Sequence, residues 1–435
     1  MYTGQLRAAG IAKESPAGTL KTPPDTYIAY IPPDSFFPTI TLLESTAVRA
    51  VPDKVAKVTQ GPGDLKGMKI KFEMEPENIG EHLMAAFGVD TLVDVASFTV
   101  TLNINDHIDF DIGGGELNAL LTPGTYPMGA SSAVVGSLCA LIKAALESAD
   151  VGGVYTVTFN GVTKKLTIAR GAGSYALKWL TGTNNLKSAD TLLGWTHADV
   201  GSAITHTSDS TTAAAVYQHT FTRLVASQLP QYSWWFDKGA KFPQFVGCML
   251  NKLDFTIKAK EAVQVEADWT GLAYDDTGSS KSPVYSALKF LTFAQATVNI
   301  DGAPIQNYDN IKITLDNLVK ADHVVGSSIY PAKIYSEGFE ATVTMDLIVE
   351  DSVQYAKFLA GTPMVLGVVL TSGEVIKATK YYSLTFDLPV GNYQAAPYPN
   401  APGLLKISFT TRGVYSVSDV KTISAKLVNS RSTSY

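Results

Sequence analysis

The sequence is short of charge, of cysteine and of basic clusters. Charged residues make up 17% of its 435 residues, against roughly a quarter in ordinary soluble proteins. At 46% hydrophobic residues the chain is not of disordered composition, so the low charge implies that much of its surface ends against other protein. A large compact monomer is the alternative that composition leaves open. The only cysteines, Cys139 and Cys248, have no partners at metal spacing. A disulfide framework is excluded, and both read as small buried hydrophobes. No Lys/Arg-rich run occurs, and the net charge is -6. That argues against a tight nucleic-acid binder, because affinity for the backbone comes from neutralising phosphates.

The first ten residues contain no apolar core and no cleavage site, so no signal peptide is expected. The most apolar short run, Met364 to Leu370, is far too short to span a bilayer. The expectation is a soluble chain, made in the cytoplasm of whatever cell expresses it, with no membrane segment.

Catalytic signatures are also missing. His82, His107, His197, His206, His219 and His323 fall in no metal-ligand spacing. Neither Gly61-Pro-Gly63 nor Gly113-Gly-Gly115 is followed by the Lys-Ser/Thr of a phosphate loop. No Gly-x-Ser-x-Gly elbow exists. Asp106, Asp109 and Asp111 crowd before a glycine turn, but their spacing is not that of an EF-hand loop, and Asp109 and Asp111 alternate with Ile108, Phe110 and Ile112 as the wet face of a strand does. No catalytic residue, metal or cofactor is expected, and the chain is not read as an enzyme.

What is present is strand grammar. Met68 to Glu75 alternates strictly, with Met68, Ile70, Phe72 and Met74 on one face and Lys69, Lys71, Glu73 and Glu75 on the other. Leu253 to Ile257, Val263 to Trp269 and Ala341 to Leu347 alternate in the same way. A helical segment follows two of these strands, Glu77 to Gly88 and Glu350 to Gly361. Asn78 and Asp351 suit N-caps, with Glu81 and Gln354 three residues on as in a capping box. Gly88 and Gly361 stand where a helix C-terminus wants a left-handed residue. Residues 68–88 slide onto 341–361 without a gap, which reads as an internal duplication. Leu253–Trp269 would then correspond to Leu384–Asp387 plus Leu404–Thr410.

Residues 99–206 interrupt the first copy. Phe98 to Asp111 reads as a strand, Leu120 to Tyr126 as an extended turn, Ser131 to Ser148 as a helix, and Tyr155 to Ile168 as a hairpin turning at Asn160-Gly161. The fold class is mainly β (α+β): two tandem β-barrel or sandwich modules, each with a short helix, plus a small inserted α+β domain. The boundaries are 1–98 with 207–275 for the first module, 99–206 for the insert, 276–284 for a polar linker and 285–435 for the second module. The aromatic cluster Ser233 to Gly239 reads as core or subunit contact rather than as a stacking platform for single-stranded nucleic acid, since only Lys238 and Lys241 are near.

The opening Gly10 to Leu20, the segment Ile79 to Gly88, the run Phe245 to Ile257 with Val263 to Gly271, and the second-half segments 296–318, 331–347 and 384–413 together resemble phage tail tube proteins (major tail proteins). The insert resembles a small module of virion proteins. The resemblance implies a virion structural protein that self-assembles into stacked rings, assembled in the host cytoplasm, forming the conduit through which double-stranded DNA passes without tight binding. It also implies a tape measure protein and tail terminator or tip proteins as partners.

Two modules per chain would make the ring a homotrimer with pseudo-six-fold symmetry, a homohexamer being the alternative. The lumen would be mildly acidic, lined by Asp254, Glu266, Asp268, Asp316 and Asp346. The loop Glu44–Gly67, through Val51, Pro52, Val55, Val58 and Pro62, would contact the adjacent subunit or ring, as would Trp234 and Trp235. Val417 to Tyr435 would be a second contact arm, and the insert would decorate the outside. The rival readings are a tail-tip, baseplate or capsid-decoration component, and a carbohydrate-binding adhesin using the insert with Trp234 and Trp235.

Overall fold

The computed structural model describes residues 8–435 apart from 45–57, 95–96, 161–162, 164, 211–215, 225–228, 240, 326–327, 350–352, 378–379 and 396–405. Strands hold 51% of the structure and helix 10%, which makes the fold mainly β.

The first half contributes β1 (Ala8–Lys13), β2 (Thr26–Ile28), β3 (Thr39–Glu44), β4 (Val58–Asp64), β5 (Met68–Glu73) and α1 (Gly80–Phe87). After α1 come β6 (Gly88–Asp94) and, beyond the insert, β7 (Tyr217–Arg223). The half closes with β8 (Tyr232–Asp237), β9 (Gln244–Lys258) and β10 (Gln264–Thr270). The second half runs β11 (Ala296–Ile300), β12 (Ala303–Ile305), β13 (Tyr308–Asp316), β14 (Val319–Asp322), β15 (Lys333–Ser336) and β16 (Glu340–Ile348). It continues with α2 (Val353–Ala360), β17 (Met364–Lys377), β18 (Lys380–Ala395), β19 (Lys406–Gly413) and β20 (Ser424–Asn429).

The pairings repeat strand for strand, all antiparallel. In the first half, β2 pairs with β1, β1 with β8, β8 with β9, β9 with β10, and β10 with β5. In the second, β12 pairs with β11, β11 with β17, β17 with β18, β18 with β19, and β19 with β16. The hairpin β3–β4 has its counterpart in β14–β15. Segment 30–35 lies along β5 through the Tyr30–Phe72 bridge and the Ile31 and Ser35 amides, as β13 lies along β16. The duplication seen in residues 68–88 therefore extends through eight strands of each half's topology, with segment 30–35 standing where β13 does. It also assigns β9 to β18 and β10 to β19, the correspondence expected from the sequence.

The long strands β9 and β18 explain the architecture. Each begins in an outer sheet and ends in an inner one, so each half wraps as a sandwich. In β9 the crossing coincides with Gly247, at φ 65 and with its Cα hydrogens facing Leu272, and with a register shift between Leu250 and Lys252. A side chain at Gly247 would both strain the backbone and strike Leu272. The inner strands β9 and β13 pair directly across the halves, from Lys252 opposite Asp316 to Lys258 opposite Asn310. The result is one inner sheet, ordered β5-β10-β9-β13-β16-β19. One core fills the space between layers, with Ile70, Phe72 and Val265 from the first half beside Val343, Met345 and Leu384 from the second. Phe255 of the inner sheet meets Phe386 of the outer one at 4.8 Å between ring centroids.

Helix α1 ends as expected, with Gly88 left-handed at φ 87, and Gly361 after α2 has φ 65. The expected capping box does not form at α1. The helix starts at Gly80 with Ile79 as N-cap and no side-chain cap. Asn78 instead donates to the Glu75 carboxylate at 2.7 Å, and Glu81 accepts from Arg431 Nη1 at 2.8 Å. A local hydrogen bond takes Asn78 from its capping role, and tertiary charge pairing with Arg431 takes Glu81. At α2, Asp351 lies outside the described residues, and Gln354 accepts from the Tyr393 hydroxyl.

The insert has its own core around Phe110, Ile142, Tyr155, Tyr175 and Trp179. Its expected first strand is two strands, Ser97–Val100 and His107–Asp111, and the expected turn before Tyr126 is largely strand as well. Its helix spans Leu138–Ala149, capped by Ser137, which accepts from the Ala140 amide. The hairpin Tyr155–Phe159 with Leu166–Arg170 forms, but Phe159 pairs with Leu166, so residues 160–165 connect the strands rather than Asn160-Gly161 alone, and Gly161 lies outside the described residues. The insert hangs from β6 and β7, which pair with each other and join β18 of the outer sheet through β20. Val428 on the far side of β20 packs against the insert's core. Val417–Tyr435 is therefore not a free arm. β20 is an internal strand, and Tyr435 is buried against α1.

A candidate conduit face and candidate assembly surfaces

Residues paired across an antiparallel ladder share a face. From β10 opposite β5, Asp268 meets Lys69 and Glu266 meets Lys71. From β9 opposite β10, Lys252 meets Asp268 and Asp254 meets Glu266. From β9 opposite β13, Lys252 meets Asp316 and Asp254 meets Thr314. From β13 opposite β16, Asp316 meets Glu340 and Asn310 meets Asp346. From β16 opposite β19, Thr342 meets Arg412 and Asp346 meets Ser408. Asp254, Glu266, Asp268, Asp316 and Asp346 thus stand on one continuous polar face, spanning six strands and both halves. The opposite face of the same strands is the buried core.

The face is charge-balanced rather than acidic. Interleaved with Glu73, Glu340 and those five carboxylates are Lys69, Lys71, Lys252, Lys258, Lys312, Lys406 and Arg412. The acidic excess of the whole chain does not fall here. Lys69 pairs with Glu266 at 3.2 Å, and that pairing holds the lysine pKa above its ordinary value. Asp254 is only 8% exposed, lying under Lys312 at 2.9 Å and accepting from the Thr314 hydroxyl at 2.6 Å. Burial pushes the Asp268 carboxyl up, against the pull of Lys69. Asp316 accepts from the Leu318 amide and Asp346 from the Asn310 side chain. Arg412 pairs with Glu340. Exposed pairs of this kind are worth only about 0.2–1 kcal/mol each, so their effect is on surface potential more than on stability. Sequence reading singled out the acids and passed over these cations, although the alternation at Lys69 and Lys71 carried the signal.

The chain belongs to the phage tail tube protein family. The family model for phage tail tube proteins matches residues 4–413, nearly the whole chain. A comparison with curated proteins finds no match. Membership makes the chain a structural component of a virion tail, and tail tube proteins act as oligomers among other tail components. No helix among the described residues is long and apolar enough to cross a membrane.

The contact residues expected of a tail tube subunit fall in different places. Val51, Pro52 and Val55 lie outside the described residues; Val58 opens β4, and Pro62 is an exposed residue of the same strand. Trp234 and Trp235 are 0% and 4% exposed, so of the two expectations for this cluster, core or subunit contact, the chain's own core holds both side chains. Strand β8 is covered on both faces. Trp234 packs on Phe36, Trp269 and His82, while Trp235 meets Tyr27 edge-on and donates to the Ser279 carbonyl. Exposed apolar side chains do occur in and just before β3, ahead of the expected loop: Phe37 is 57%, Leu42 61% and Leu43 52% exposed.

Proposed function

We propose that copies of this chain close into rings that stack as a tube, with the polar face of the inner sheet lining the channel for double-stranded DNA. The observation that carries the reading is that face: one polar surface continuous over both halves, backed by a single core, with its cations and anions interleaved. A duplex binds tightly where a wall displaces its counterions. A wall most of whose cations are already paired with carboxylates gives little such displacement, and its balanced acids give no net repulsion that would oppose passage.

Because each chain carries two equivalent halves, three chains complete a ring with pseudo-six-fold symmetry. The insert hangs from the outer sheet, on the side of the core away from the polar face, so it decorates the outside of the tube. Residues 99–206 are a domain of their own in this reading, set within a first module of 1–98 and 207–275. Tape measure and terminator or tip proteins are the other partners of such a tube, and the role is structural, not enzymatic. With Trp234 and Trp235 buried, the adhesin reading loses its binding platform.

Negative-stain electron microscopy of the concentrated protein, with averaging of end-on views, tests the proposal. Hollow stacked rings with three true symmetry copies are expected. Dispersed monomers at high concentration would overturn it.

A further inference from the structure

The two halves are equivalent in topology but not in what covers them. Within the chain, hairpin β14–β15 of the second half reaches over the first half. Its Val319 and Ile334 join Met249 of β9, Leu272 just after β10, and Leu229 in a small apolar cluster. Hydrogen bonds fix the hairpin there: the Val319 amide donates to the Asn251 side chain at 3.0 Å, and Asn317 Nδ2 donates to the Leu250 carbonyl at 3.0 Å. Beside it, Phe339 packs on Phe87 at the end of α1.

The counterparts of both partners leave apolar side chains exposed, although β4 is tied within the chain to the loop after β14, the Gly63 amide donating to the Ile329 carbonyl at 2.7 Å and the Gly63 carbonyl lying 3.1 Å from His323 Nε2. Hairpin β3–β4 occupies in the first half the place of β14–β15 in the second. Matching β4 to β15 by the spacing that relates β5 to β16 sets Gly63 on Ser336, and so Ile40 on Val319, through their cross-strand partners. Ile40 is 38% and Leu42 61% exposed. By the ladders that set Trp269 opposite Met68 and Arg412 opposite Thr342, Gly271 of the receiving segment after β10 corresponds to Tyr415 after β19; Tyr415 is 56% and Val414 beside it 39% exposed, while Leu272 corresponds to the buried Ser416. At the end of α2, Leu359 is 68% exposed, and no residue of that helix is buried, whereas every residue of α1 is. Scattered exposed apolar residues are ordinary. Here a donor and a receptor are exposed together, and the equivalent two elements contact each other at the junction within the chain.

We infer that hairpin β3–β4 of one copy docks on the Val414-Tyr415 segment and the C-terminal end of α2 of a neighbouring copy, reproducing between chains the contact that β14–β15 makes within the chain. This rests on the ring assembly proposed above and names the surface that closes it. The occupant is a second copy of this chain because the internal junction shows what fits. A heterologous, head-to-tail contact of this kind closes into a ring when its rotation repeats evenly, and a chain whose halves already repeat carries that rotation in its fold.

The test is a cysteine pair in the full chain, Ile40→Cys with Tyr415→Cys, treated with a short bismaleimide. The native Cys139 and Cys248 are both buried, which keeps the background low. A ladder of covalent oligomers is expected from the double variant and monomer from each single variant. In parallel, Leu42→Asp should melt as the unmodified chain does yet give no rings by negative stain. Normal rings from Leu42→Asp, or rings without a ladder from the double variant, would overturn the docking and leave the tube standing. Absence of rings from the unmodified chain would overturn both.

Discussion

The ring of Tyr435 lies against Gly80 so closely that a Cβ there would fall 1.9 Å from the ring's Cζ. Gly80 is the first residue of α1, and Tyr435 is held in place by Asn429, which donates to its hydroxyl at 2.7 Å, and by the Arg431 guanidinium 3.9 Å from its ring centre. The contact ties the end of the second half to the helix of the first. Gly80→Ala should destabilise the chain by about 1–3 kcal/mol, the range for overpacking. In Gly80→Ala/Tyr435→Ala the two changes should be far from additive, costing little more than Tyr435→Ala alone, because the clash is gone. Urea unfolding of the three variants measures this.

Two buried groups give opposite pH limbs. Burial among the rings of Phe72, Trp234 and Trp269 lowers the His82 pKa to about 3 from its ordinary 6.5. The unfolded chain therefore binds a proton that the folded chain refuses, and stability falls as pH drops below 6.5. Burial, with Glu73 nearby, raises the Glu75 carboxyl to about 7 from 4.5. Here the folded chain holds the extra proton, so the stability it contributes at low pH is lost as pH rises from 4.5 through about 7. His82→Leu should flatten the acid limb, and Glu75→Gln should flatten the decline toward neutrality. Urea midpoints followed from pH 4 to 8 would show each change in slope.

The equivalent helix-ending glycines should not tolerate alanine equally. Both are left-handed, so each substitution costs the strain of that conformation, on the order of 1 kcal/mol. At Gly361 a Cβ meets nothing within 4 Å. At Gly88 it meets the Leu224 Cβ at 2.7 Å. Gly88→Ala should lower the melting temperature several degrees further than Gly361→Ala.

The charge balance of the inner face can be tipped deliberately. Glu266→Lys with Glu340→Lys removes the partners of Lys69 and Arg412 and leaves a net basic patch. Tubes of this variant should retain short duplex DNA in a sedimentation assay at about 50 mM salt and release it near 200 mM, the signature of counterion release. Unmodified tubes should retain none at either salt. Equal retention by both would mean that this face does not line the channel.

Much of this architecture was legible because its signals are local. The alternation of Met68, Ile70 and Phe72 with lysines gave β5 and the side it buries, and Gly88 and Gly361 marked two helix ends 273 residues apart. What escaped depends on long-range covering. Trp234 and Trp235 are adjacent in a strand, so one of them should face water in a half-buried sheet. Strand β8 instead has rings from other segments on one side and the linker at Ser279 on the other. Asn78 and Glu81 match a capping pattern, yet the pattern cannot see Arg431, which lies 350 residues away and claims Glu81. Net charge was a poor guide to the inner face for the same reason, since only strand register decides which acids and lysines meet.

The direct pairing of β9 with β13 has a kinetic consequence. In a ring built from separate single-module subunits, every lateral junction is a bimolecular event, and its rate depends on how much protein the cell has made. In the three-chain ring proposed above, every second junction would form as the polypeptide folds, at the high effective concentration of a tether. Only the remaining junctions answer to mass action. Fusion thus lowers the order of the reaction that starts a ring, so rings should nucleate at dilutions where detached halves would stay apart.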